Sequence, residues 1–132
     1  MPALPLLNPT TFAKLLRGAS LSKQTHVVTV VTASATMLAD SLYGSVTRTI
    51  TNAVTFTLPI GTVGMHCTIA MGSTNIITIT ATTPDFIYIN GVAGAAAGSI
   101  AAAAVLGNSV RLMYLGEGMW YADRVTGTWT AS

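Results

Sequence analysis

Four acids (Asp40, Asp85, Glu117, Asp123), two histidines (His26, His66) and the single Cys67 are the residues of this 132-residue chain best suited to moving protons, holding metals or attacking substrates. Local metal sites start from spacings such as HxH, HxxxH or CxxC, and none occurs. No two carboxylates stand at a spacing that suits paired acid–base work. His66 and Cys67 are adjacent on an expected strand, so their side chains point to opposite faces. They cannot pair as base and thiolate without a sharp bend. Ser41 beside Asp40 reads as a turn pair, and Gly116-Glu117-Gly118 heads a hairpin rather than a phosphate-binding helix. The sequence contains no GxSxG, P-loop or GxGxxG pattern. The expectation is a protein that is not an enzyme, with no catalytic residue, metal site or cofactor, and with Cys67 half-buried on its strand.

The remaining chemistry is that of surfaces. Trp120, Tyr121, Trp129, Tyr114, Tyr43 and Tyr88 can pack a core, meet a second subunit or stack on sugars or bases. Trp120 and Tyr121 alternate along a strand, so one of the two faces any given surface. Hydrophobic residues make up 51% of the chain and charged residues 8%, against about 25% charged in an average soluble domain. With so little charge to keep copies apart, a lone monomer is poorly protected from association. Either a membrane or an assembly would resolve this. The run "GVAGAAAGSIAAAAVLG" (91–107) is too short and too rich in Ala and Gly to be a spanning helix. Its Gly94/Gly98 spacing resembles a membrane packing motif but sits among strands and turns. The N-terminus lacks a basic n-region and is broken by Pro2, Pro5 and Pro9, which argues against a signal peptide. A net charge of +2 without a Lys/Arg cluster does not fit nucleic acid. Cys67 alone excludes an internal disulfide framework and suits maturation in a reducing cytoplasm. Assembly is the reading that composition favours.

From His26 onward the hydrophobic period is two. "VTFTL" sets Val54, Phe56 and Leu58 against Thr55 and Thr57, and "ITITAT" sets Ile77 and Ile79 against Thr78 and Thr80. β-Branched residues suit a pleated sheet, and threonine makes a soluble face without charge. Strands are expected at 26–32, 46–51, 54–58, 65–71, 75–81, 86–89, 99–104, 109–115 and 119–125. Turns fall at "LPIGTVG", at "LGNS" and "LGEGM", and at Asn90-Gly91, a type I′ hairpin signal, and a strand starts after Pro84. "SATMLADSLYG" would be a loop or a helical turn. The fold class is all-β: a single β-sandwich or jelly-roll-like domain over 25–132.

Residues 1–24 differ and read as an extended arm. Leu4, Leu6 and Leu7 lie among its prolines. Asn8 as N-cap, Pro9 and Gly18 then bracket a short helix with Phe12, Leu15 and Leu16 on one face. Two or three turns do not persist alone in water, so the segment must lie on something. Its own β-domain is one candidate. A neighbouring subunit or a different protein is the other, favoured because prolines stiffen an outward-reaching segment. Lys14, Arg17 and Lys23 would then meet an acidic protein surface, and Leu21 would join the apolar contact.

The stretches "SLYGSVTRTITNAVTFTLP" and "GNSVRLMYLGEGMWYADRVTGTWT" carry a resemblance over the chain from Asp40 onward. The strand Thr51 to Pro59, the strand start Gly107 to Leu112, the hairpin Gly116 to Trp120 and the closing Gly127 to Thr130 resemble, in that order, small β-domains of tailed-phage structural proteins. These are capsid decoration (cement) proteins and head-fibre or tail-fibre modules. The segment "AGAAAGSIAAAAV" (93–105) is more Ala-rich than that pattern. The resemblance implies a homotrimer on the outer surface of a virion's capsid, assembled in the host cytoplasm and clamping the major capsid protein. Leu4, Leu6, Leu7, Phe12, Lys14, Leu15, Leu16, Arg17 and Leu21 would make the capsid or neighbour contact. Small residues let three backbones meet at a three-fold axis, so Ala95, Ala96, Ala97, Ile100 and Trp129 become the expected subunit interface. An ordinary tight loop and a buried strand account for the same residues. The alternative function is a head- or tail-fibre module that binds host glycans.

Overall fold

The computed structural model describes residues 28–39, 42–49 and 52–132. Within them the chain forms β1 (Val28–Val31), β2 (Ala35–Thr36), β3 (Tyr43–Thr49), β4 (Val54–Thr57), β5 (His66–Met71), β6 (Ile77–Thr80), β7 (Phe86–Ile89), β8 (Val92–Ala93), β9 (Ser99–Ala102), β10 (Ser109–Gly116), β11 (Met119–Thr126) and β12 (Trp129–Ala131). There is no α-helix among the described residues. The expected arm and its helix lie outside them.

Two sheets pack face to face as a sandwich. The larger runs β1-β3-β5-β10-β11-β7-β8 and the smaller β12-β9-β6-β4-β2. Strands β1 to β6 alternate between the sheets, and β1 to β4 each pair in parallel with the strand two places on. Val28 stands opposite Val46 and Val46 opposite Thr68, while Ala35 stands opposite Phe56 and Phe56 opposite Ile79. The chain therefore winds as a flattened coil of roughly 20 residues per turn, at the short end of stacked-repeat architectures. A parallel pair needs a long crossover, usually helical. Here the crossover is a strand of the opposite sheet. From β7 on, the chain closes the coil mainly with antiparallel pairings, β10 inserting between β5 and β11. Jelly rolls are antiparallel, so the architecture is the sandwich and not the jelly roll.

The core lies between the sheets and is built from the alternation seen in the sequence. Val54, Phe56 and Leu58 point inward, as do Ile77 and Ile79, against Ile69, Leu112 and Trp120. Each such side chain contributes about 1.5–3 kcal/mol on leaving water. Cys67 is fully rather than half buried, and burial pushes its thiol up to about 12. The expected hairpin at Asn90-Gly91 joins β7 to β8 with both residues at positive φ, 52° and 82°. Glu117 and Gly118 do the same between β10 and β11. β3 begins at Tyr43, earlier than its alternation suggests, because a bulge at Gly44 (φ 88°) breaks the period. The segment expected to be a loop or helical turn contains β2 and a turn in which Leu42 N–H donates to Ala39 O at 3.1 Å.

Candidate interaction face

The two outer faces of the sandwich differ in chemistry. On the smaller sheet, Thr36, Thr57, Thr80 and Ser99 stand side by side in one row. Thr55, Thr78, Ala101 and Thr130 form the next row. The Thr80 and Ser99 hydroxyls are 2.9 Å apart and hydrogen-bonded. This is the threonine coat expected from the sequence.

The larger sheet presents aromatic and thioether groups instead. Tyr43 is in register with His66, His66 with Met113, Met113 with Tyr121, and Tyr121 with Tyr88. The flanking residues Leu42, Cys67, Leu112, Trp120 and Ile87 are buried, so the pleat turns all five members of the row outward. At about 4.8 Å per strand the row is roughly 20 Å long. Tyr88 and Tyr121 lie with ring centroids 5.7 Å apart and planes 20° from parallel. His66 Nδ1 is 2.9 Å from Gly64 O, which can only accept, so this nitrogen carries a proton and donates.

Arg111 and Asp123 form the next rank of the face. Arg111 Nε donates to Asp123 Oδ1 at 2.9 Å and Oδ2 at 3.0 Å, and Arg111 Nη2 also bonds Asp123. That hydrogen bonding holds the Asp123 carboxyl below the usual carboxylate range and the guanidinium above its own. The bulge that admits Asp123 opposite Arg111 creates the pair. At one end of the sandwich Ile60, Val63 and Leu115 are exposed, Val63 at 70%. Gly64 N–H donates to Tyr114 O at 3.3 Å, joining the loop that carries Ile60 and Val63 to the strand that carries Leu115.

A buried carboxylate anchors this end. Asp85, 1% exposed, accepts Gly61 N–H at 2.7 Å, and Tyr114 Oη donates to it at 3.4 Å. Tyr114 Oη accepts Gly118 N–H at 3.0 Å, and the Asp85 carbonyl accepts Ala97 N–H at 2.8 Å. One acid thus ties together three loops. Among the described residues no three His, Cys, Asp or Glu side chains gather where they could hold a metal ion. Nor does any helix among them have the length and apolarity to cross a membrane.

Leu4, Leu6, Leu7, Phe12, Lys14, Leu15, Leu16, Arg17 and Leu21 lie outside the described residues. Ala95 and Ala96 are exposed and Ala97 half-exposed, on the loop that Gly94 N–H ties to Ile87 O at 2.8 Å. Ile100 and Trp129, expected at a subunit interface, are core residues at 1% and 4% exposure. Strands β9 and β12 pair antiparallel and turn both inward, and Trp129 Nε1 donates to Thr126 O at 3.2 Å. The aromatic set divides cleanly, with Trp120, Trp129 and Tyr114 inside and Tyr43, Tyr88 and Tyr121 on the face. The Trp120/Tyr121 alternation is legible in the sequence. Alignment of three distant tyrosines requires knowing which strands pair. In comparisons with protein-family models, curated proteins and solved structures, the chain matches none.

Proposed function

We propose that this chain is a capsid decoration (cement) subunit of a tailed phage, binding the outer surface of the major capsid lattice as a homotrimer. The observation that carries the reading is the outer face of the larger sheet. Its Tyr, Met and Arg content, without lysine or an unpaired acid in the rows described, is the composition of protein–protein contact surfaces. The exposed Ile60, Val63 and Leu115 extend that apolar character beyond the sheet. The order of the four sequence motifs supplies the phage context, and the leucine-rich arm supplies an anchor. A ligand that binds the assembled lattice alone stabilises it by mass action. Linking three such contacts in one oligomer raises their joint affinity without any new contact.

A second reading is favoured by the parallel Tyr88–Tyr121 pair, which suits stacking on a sugar ring. In that case the domain is a head- or tail-fibre module that recognises host glycans. The molar ratio of this chain to the major capsid protein in purified virions, measured by quantitative mass spectrometry, tests the proposal. A ratio within a few-fold of one supports a lattice-wide cement protein. A few copies per particle would refute it and favour the fibre module.

A further inference from the structure

Among the described residues the coil is open at its first turn. β1 and β2 are the outermost strands of their two sheets at this end. Between them lies a cavity of about 270 Å³ whose lining includes Thr29, Val31, Ala35, Met37, Leu38 and Phe56. Phe56 and Met37 are core residues, whereas Leu38 is 74% exposed, so the hydrophobic core reaches the surface here. Stacked-coil folds require a terminal cap, because the last turn exposes the face that the next would cover. The cavity is smaller than the 300–1,000 Å³ of a typical small-molecule site. Its scale and its largely apolar lining suit a few apolar side chains.

We propose that Phe12, Leu15 and Leu16 of the same chain fill this cavity and cap the sandwich. Residues 1–27 run directly into Val28, the first residue of β1, and Thr29 and Val31 of that strand line the cavity. The capping residues are therefore tethered to the rim of the site they fill. An extended chain covers up to about 3.3–3.6 Å per residue, so the link from Leu16 to Val28 readily crosses a sandwich about 10 Å thick. A short tether gives an effective concentration in the millimolar range, which the arm of an unassociated copy does not match in dilute solution. The i, i+3, i+4 spacing of the three residues matches one apolar face to one apolar opening. The cap leaves Leu4, Leu6 and Leu7 for contacts outside the chain and holds whether or not the protein decorates a shell.

The test uses the full chain with Ala13→Cys carrying a nitroxide spin label. Cys67 is buried, with its thiol pushed up to about 12, and stays unlabelled. The methionine ε-methyl NMR signals are the readout. The proposal expects loss of the Met37 signal while Met113 and Met119, outward on the larger sheet, retain more of theirs. It further expects recovery of the Met37 signal when Phe12→Asp and Leu16→Asp are added to the labelled chain. In a mixture of isotope-labelled chains without the nitroxide and nitroxide-bearing chains without the isotope, Met37 should be unaffected. Three results would overturn the proposal. They are a Met37 signal no weaker than those of Met113 and Met119, a loss that survives the Asp substitutions, or a loss that appears in the mixture. The last would assign the cavity to the arm of a second copy. Because no capsid enters the experiment, its failure and the failure of the decoration reading are separate results.

Discussion

Asp85→Ala removes a carboxylate at 1% exposure from the point where three loops meet. Its bond from Gly61 N–H is 2.7 Å, and such a charge-assisted bond contributes about 1.5–3 kcal/mol. The bond from Tyr114 Oη, at 3.4 Å, is long and adds little. Losing the carboxylate strands the Gly61 donor in a half-buried site, while relief of the acid's own desolvation offsets part of the loss. The expected destabilisation is about 2–3 kcal/mol, which lowers Tm by roughly 10 °C in a domain of this size. Tyr114→Phe keeps the ring against Trp120, whose centroid is 5.3 Å away, and removes the acceptor of Gly118 N–H. That substitution should lose about 1 kcal/mol. Because the Tyr114–Asp85 bond is long, the two losses should add to within about 0.5 kcal/mol. Urea and thermal unfolding of the parent, both single variants and the double variant measure all three quantities, with unchanged m-values as the check on two-state behaviour. An Asp85→Ala midpoint within about 2 °C of the parent would refute the anchoring role. A coupling above about 1 kcal/mol would show the Tyr114–Asp85 bond to be stronger than its geometry implies.

Tyr88→Ser with Tyr121→Ser should lower stability by about 1 kcal/mol for the stacked pair itself, with a further loss from the partial burial of Tyr88. Binding of heads or glycans should fall at least about tenfold if the row is the contact, and titration against either ligand reads this. The Arg111 hydrogen bonds depress the Asp123 pKa, so the pair's contribution is present above the ordinary carboxylate value near 3.9 and is lost as pH falls below it. Asp123→Asn should therefore lose about 0.5–1 kcal/mol at neutral pH and flatten that part of the acid limb in pH-dependent unfolding. Gly61→Ala should lose about 1–3 kcal/mol in denaturant titrations, because its Cβ would overlap the Tyr114 ring and force a core aromatic to move.

Strand existence was written in the sequence because alternation is a local property. Each inward residue of "VTFTL" and "ITIT" has an outward threonine beside it, and no distant contact is needed to see that. The Asn90-Gly91 turn is local for the same reason, because two consecutive positive φ angles favour that pair, whereas the Glu117-Gly118 turn is marked in the sequence by its glycine alone. β2 and β8, at two residues each, are too short to alternate, and β12 is little longer. Ile100 lies in the core and not at a surface because an Ala-rich segment suits a close-packed interface and a buried strand equally well by composition, and Trp129 is turned inward by the pairing of β12 with β9.

The sequence by itself determined an all-β domain of low charge, its threonine coat, its main turns, its buried aliphatic faces and a chemically distinct arm. Tertiary structure alone decided which strands are neighbours. A period of two tells a residue which face it occupies but carries no label for the strand beside it. The coiled parallel pairing, the Tyr43–His66–Met113–Tyr121–Tyr88 row, the Asp85 anchor and the open cavity between β1 and β2 all depend on that choice. Each brings together residues far apart along the chain, and only the closing of the two sheets puts them in contact.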